Sequence, residues 1–229
     1  MAHAIGLAAL ACIAGCAASQ PEITGSLRAI QPDWFYVPGP YRTVQAVGQE
    51  TRTATVTAET NNTWTVRFGD PPTTILVTRT PDGRPATALI ADPARNETVV
   101  FDPPLPLVPA PDHAPPAEET ASIALYKGLH PQGPPASLKP TRTGSATREF
   151  LGVENASWAF QGQAFPAQTL THMLTLSLSP AQIRQTYRST AVQSRGIVVE
   201  ELEERVTVLG IRIGGRQETA QVIEFIDER

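Results

Sequence analysis

The chain has little that could staple it together. Its 229 residues include two cysteines, Cys12 and Cys16, and none after position 16. Residues 17–229 therefore cannot carry a disulfide framework, Cys-ligated zinc or an iron–sulfur cluster. Aromatic residues make up 6% and charged residues 17%, with a formal net charge of −4. A mildly acidic chain is a poor electrostatic partner for nucleic acid or for anionic headgroups. His113, His130 and His172 are far apart, and none has a second histidine at a ligand spacing. No Asp-rich calcium loop, nucleophile elbow, phosphate loop or dinucleotide fingerprint occurs. The expectation is a body without metal, cofactor or catalytic residues, stabilised by buried apolar surface.

What the chain does have begins at its N-terminus. Residues 1–15 contain no Lys, Arg, Asp or Glu, and positions 4–14 are apolar or glycine. A run of this length suits the hydrophobic region of a signal peptide and is too short for the ~20 residues of a membrane-spanning helix. It ends in Ile13-Ala14-Gly15-Cys16. This tetrapeptide resembles the lipobox of bacterial lipoprotein precursors, where an aliphatic and two small residues precede the cysteine that receives lipid. One departure is the lack of Lys or Arg ahead of the apolar run, where signal peptides usually carry positive charge. The resemblance implies cleavage before Cys16, lipidation of Cys16, and attachment to a membrane in the cell envelope. Two or more acyl chains would make that anchor stable. Residue 17 is alanine, so the periplasmic face of the outer membrane is favoured over the inner membrane.

Proline is abundant at 22 residues, which argues for strands joined by turns, not long helices. Residues 16–33 read as a lipidated tether, polar and broken by Pro21, Gly25 and Pro32. Trp34-Phe35-Tyr36 then opens the body, and these aromatics are expected to fill one end of its core, ahead of serving as a recognition patch.

Residues 34–101 read as an N-terminal β region. Thr63–Phe68 alternates apolar and polar side chains, the period of a half-buried strand. Thr53–Glu59, Thr73–Thr80, Pro85–Ala91 and Glu97–Phe101 read as further strands. Pro81-Asp82-Gly83-Arg84 and Asp92–Asn96 supply turn chemistry between them. Residues 102–120 contain seven prolines and are expected to form an extended linker or strap, since neither a helix nor a central strand tolerates that density.

Residues 121–229 read as a C-terminal β region. Ala121–Tyr126 is a short strand. Leu170, His172, Leu174, Leu176 and Leu178 share one strand face. His172 is expected to be a hydrogen-bonded edge residue. Residues 180–192 fit both a strand and a helix capped by Ser179-Pro180, with strand favoured. From 198 to 208 the apolar parity is that of a long strand, with a helix over 198–206 as the alternative. Gly214-Gly215 is the expected hairpin turn, and Gln221–Ile226 the returning strand. The Glu200, Glu201, Glu203 and Glu204 cluster is expected to be a solvated charge row with Arg205, not a catalytic carboxylate pair.

The fold class is therefore mainly β, with antiparallel meander sheets, proline-rich loops and a helical N-terminal signal peptide. A curved, half-barrel-like sheet is one form the meander can take. The body loosely resembles uncharacterised β-rich envelope lipoproteins with a curved antiparallel sheet. Two functions fit: a non-enzymatic structural or protein-contact role in the envelope, or a carrier enclosing an apolar or lipid ligand. An open face lined by Leu and Val, with several hundred Å³ left unfilled, would favour the carrier. A hydrolase is the third reading and needs polar groups converging in one cleft.

Overall fold

The computed structural model describes residues 30–110 and 116–226. The expected signal peptide, Cys16, most of the expected tether and His113 lie outside the described residues. After a single 3-10 turn (Pro32–Trp34) come twelve strands: β1 Tyr41–Val47, β2 Glu50–Val56, β3 Thr63–Phe68, β4 Thr73–Arg79, β5 Pro85–Asp92, β6 Glu97–Pro106, β7 Ala117–Lys127, β8 Arg142–Phe160, β9 Gln163–Leu178, β10 Ala181–Val192, β11 Gly196–Val208 and β12 Ile211–Ile226. Each pairs antiparallel with its neighbour in sequence, and β12 returns to β1. The two β regions read from the sequence thus contribute six strands each to one closed up-and-down barrel. No open edge is left for strand pairing at the β1–β12 seam.

The strands follow from alternation. In β10, Ile183, Gln185 and Tyr187 face the lumen, while Gln182, Arg184 and Arg188 face out. In β11, Glu200, Leu202 and Glu204 face in, and Glu201 and Arg205 are exposed. Both stretches that were open to a helical reading are therefore strands. Closing the barrel buries one face of each, and a helix would break the register of β10 with β9 and β11.

Two expectations are corrected. The hairpin between β11 and β12 turns at Leu209-Gly210, not at Gly214-Gly215. Both turn residues have positive φ, 51° and 80°, as a two-residue turn matched to strand twist requires. Gly215 instead sits within β12, where a Cβ would lie 2.3 Å from the Glu204 carbonyl oxygen. Its role is close backbone approach, not reversal.

The proline-rich stretch is also less of a linker than expected. Asp102–Pro106 belongs to β6, and Ala117–Thr120 to β7. Register along β5 jumps from Thr87↔Leu105 to Leu89↔Val100. Residues 101–104 therefore form a bulge facing Ala88, and Pro103 and Pro104 need donate no ladder hydrogen bond there.

Hairpin connections alternate between the two ends of the barrel. One end receives the N-terminal stretch 30–37. Ile30 and Phe35 are buried there among Val108, Phe150, Val153, Leu170 and Ala191, with Trp34 and Tyr36 packed against them. Gln31 N–H donates to Gln168 Oε1 at 2.8 Å, and Gly39 N–H to Thr57 O at 2.8 Å. The aromatics at the start of the body thus fill one end of the core, as expected. At the same end Trp158 stacks on Phe160 at 4.8 Å, and Arg195 lies 4.5 Å over the Phe165 ring.

Candidate functional site

Eight strands make a barrel about narrow enough for side chains to fill; twelve leave a lumen. Here the plug closes one end, and the remaining cavity measures about 850 Å³. That lies in the range of small-molecule pockets. It reaches the other end, where exposed Arg95, Lys127 and Arg142 line its mouth beside Asp92 and Glu97. This open end also bears exposed Leu209, Ile211 and Ile213 on the β11–β12 hairpin.

The cavity has two kinds of wall. Val66, Ile75, Ile90, Val99 and Phe101 line it from β3–β6, and Leu174, Leu176 and Leu178 from β9. The row of leucines read from the sequence is thus one apolar side of the lumen. The floor above the plug is polar: Tyr36, Arg148, His172, Tyr187 and Glu200 all border it.

His172 is 2% exposed, and neither ring nitrogen has a hydrogen-bond partner. The expected edge position is corrected, because β9 is paired on both sides and the closed barrel buries the residue. Its ring stacks on Tyr187 at 4.9 Å with planes 15° apart, and tilts against Phe150 at 6.0 Å. Burial, reinforced by the nearby Arg148 charge, pushes its pKa well below the usual histidine value. The imidazole is therefore neutral near pH 7.

Arg148 is 4% exposed. Its Nη1 donates to Pro106 O at 2.6 Å, and its Nε has no partner. No carboxylate lies within ion-pair distance of it among the described residues. Burial pulls its pKa down, opposed by Tyr36, Tyr187 and Glu200, yet a guanidinium stays protonated in a protein. Burial first, and Glu218 to a lesser degree, raise the Glu200 carboxyl, while Arg52, a weak bond from Ser189 and Arg148 oppose the shift. Burial likewise raises the Tyr36 and Tyr187 phenols.

A hydrogen-bonded row climbs from this floor. Tyr187 Oη donates to Gln185 Oε1 at 3.0 Å, and Gln185 Nε2 to Glu204 Oε2 at 2.6 Å. Arg216 lies 3.8 Å from Glu204 and 3.5 Å from Glu218, which pairs with Arg52 at 2.9 Å. These charges offset one another within the row, whereas Arg148 has no ion-pair partner among the described residues and feels Glu200 only across the floor.

The expected glutamate row is split by strand parity. Glu201 and Glu203 face out, with Arg205 2.6 Å from Glu203 and Arg188 4.0 Å from Glu201. Glu200 and Glu204 face the lumen. The signal was present: both lie on the parity of Val198 and Leu202, where a solvated row does not belong. Arg148 carries the same signal, alternating with Ala146 and Phe150. His130 lies in the β7–β8 connection, far along the chain from His172. Among the described residues no cluster of three or more His, Cys, Asp or Glu is arranged to hold a metal ion.

Comparison of the chain with protein-family models, with curated proteins and with solved structures finds no match.

Proposed function

We propose that this protein is a non-enzymatic carrier that holds one amphipathic ligand inside its barrel and is tethered in the cell envelope by lipid on Cys16. The observation that carries the reading is the unfilled lumen of about 850 Å³, apolar along its walls and polar at its closed floor. A purely structural barrel would gain stability by filling that space, because packing to native density adds dispersion contacts. The outer surface supports the same reading. Arg184, Arg188, Glu201, Glu203 and Arg205 lie on the outward faces of β10 and β11, whereas a membrane-spanning barrel presents an apolar band there. The tether, not the barrel wall, would then contact lipid.

The test is native mass spectrometry of the full chain extracted from its own membranes. One amphiphile per barrel is expected, together with the mass of a lipidated chain starting at Cys16. A chain without adduct that also fails to bind a neutral polarity-sensitive fluorophore in its lumen would overturn the carrier reading. Unchanged membrane retention in Cys16→Ser would overturn the anchor separately.

A further inference from the structure

We propose that the ligand is a long-chain fatty acid, bound head-first, with its carboxylate against Arg148 on the floor and its chain running towards the open end. The inference rests on the carrier reading and narrows it to one class of head group. Arg148 Nη1 is committed to Pro106 O, while Nε is left without a partner. The Nε–H is enclosed, on the side-on edge of the guanidinium that it shares with Nη2. A carboxylate that reaches this edge from the lumen meets Nη2 first and makes the second of two parallel hydrogen bonds once Nε–H turns towards it. A buried donor without an acceptor is destabilising, the more so when it is charged. A ligand that supplies the acceptor relieves this.

The neighbouring groups narrow the head further. His172 lines the same floor, with both ring nitrogens enclosed and unpartnered and the ring held in place by its stack on Tyr187, so it adds no second charge beside Arg148. Glu200 faces the same floor. One cation without an ion-pair partner, with Glu200 across the floor, suits a monoanion better than a phosphate dianion, which would need more donors and be repelled more strongly by Glu200. A cationic head would meet Arg148. An alcohol would leave the buried guanidinium unpaired. Above the floor, Leu174, Leu176, Leu178, Val99 and Phe101 give the chain an apolar path towards the mouth.

The experiment uses the full chain, stripped of bound lipid on a hydrophobic resin. Four C16 amphiphiles then compete with a neutral lumen fluorophore: hexadecanoic acid, hexadecanol, hexadecylamine and hexadecyl phosphate. The acid is expected to bind at least tenfold more tightly than the other three. Arg148→Met should abolish the preference of the acid over the alcohol, and continued binding of the alcohol reports that the barrel is intact. Arg148→Lys should fall between, since it keeps the charge and loses the fork. The wild-type series stands even if Arg148→Met does not fold. Equal binding of acid and alcohol, or tighter binding of the phosphate, would overturn the head-group assignment and leave the carrier reading in place. Displacement by none of the four would overturn the carrier reading itself.

Discussion

The two sides of the barrel are built to different rules. Strands β1–β6 are 6–10 residues long, whereas β8–β12 run 12–19. Towards the lumen, β3–β6 present mainly Trp64, Val66, Ile75, Val77, Ile90, Val99 and Phe101, while β8–β12 present Arg148, His172, Gln185, Tyr187, Glu200 and Glu204 among their leucines. The exceptions are Asp92 and Glu97 at the mouth, Gln45 of β1, and Arg52 of β2, which bonds Gln45 and reaches past β1 to Glu218. The short side gains stability from burial. The long side gives some of it up to keep polar groups on the cavity floor. Sites that hold unsatisfied polar groups are where a fold departs from its stability optimum.

Four substitutions would break or sharpen that contrast. The largest effect belongs to the burial-driven side. Leu105 of β6 is 0% exposed and packs with Phe101, Ile123 and Leu174. Leu105→Ala should cost about 2–5 kcal/mol in urea unfolding, from lost transfer energy and the cavity left behind. A cost below about 1 kcal/mol would show that this side is loosely packed.

The next effect belongs to the polar floor and appears in the pH dependence. The His172 pKa is depressed in the folded state, by burial first and then by Arg148. Its contribution is complete above about pH 6.5 and is lost as pH falls, because the unfolded chain takes up the proton first. His172→Leu should remove up to about 1.4 kcal/mol per pH unit of that slope below pH 6.5. Glu200 works in the opposite sense. Its pKa is raised, so its folded form is favoured below the ordinary carboxyl value, and this advantage is lost as pH rises through the folded pKa. Glu200→Gln should therefore raise the urea midpoint at neutral pH. Unchanged pH profiles in both variants would mean that water reaches the floor freely.

The smallest effect lies on the outer face of the same strands. Arg188 pairs with Glu154 and Glu201 and is half-exposed. Arg188→Ala should change stability by less than about 1 kcal/mol, because solvent and salt screen such pairs. The same denaturation series at low and high salt checks it.

Much of the wall was legible in advance because alternation is local. Thr63–Phe68 and the leucine row at 170–178 announce strands by period alone, and Pro85–Ala91 by the turn that precedes it. The proline bulge in β6 was not legible: whether a proline may enter a strand depends on whether its partner needs a donor there, and that partner is 15 or more residues away. The Leu209-Gly210 turn was masked by a more conspicuous glycine pair, whose purpose lies in the neighbouring strand. The floor was visible only as charges on an apolar parity, at Arg148, Glu200 and Glu204. Without closure, an inward charge at the middle of a sheet cannot be told from one at its edge.

The sequence by itself determined that the body is β-rich, free of cysteine after position 16 and preceded by an uncharged apolar run, because these depend on composition, period and position along the chain. Only the tertiary structure decided that the meander closes into twelve strands around a plugged lumen. Closure is a long-range event: β1 meets β12 across the whole chain, and strand number sets the width. That width turned a row of leucines, a histidine and half of a glutamate cluster into the lining of one cavity.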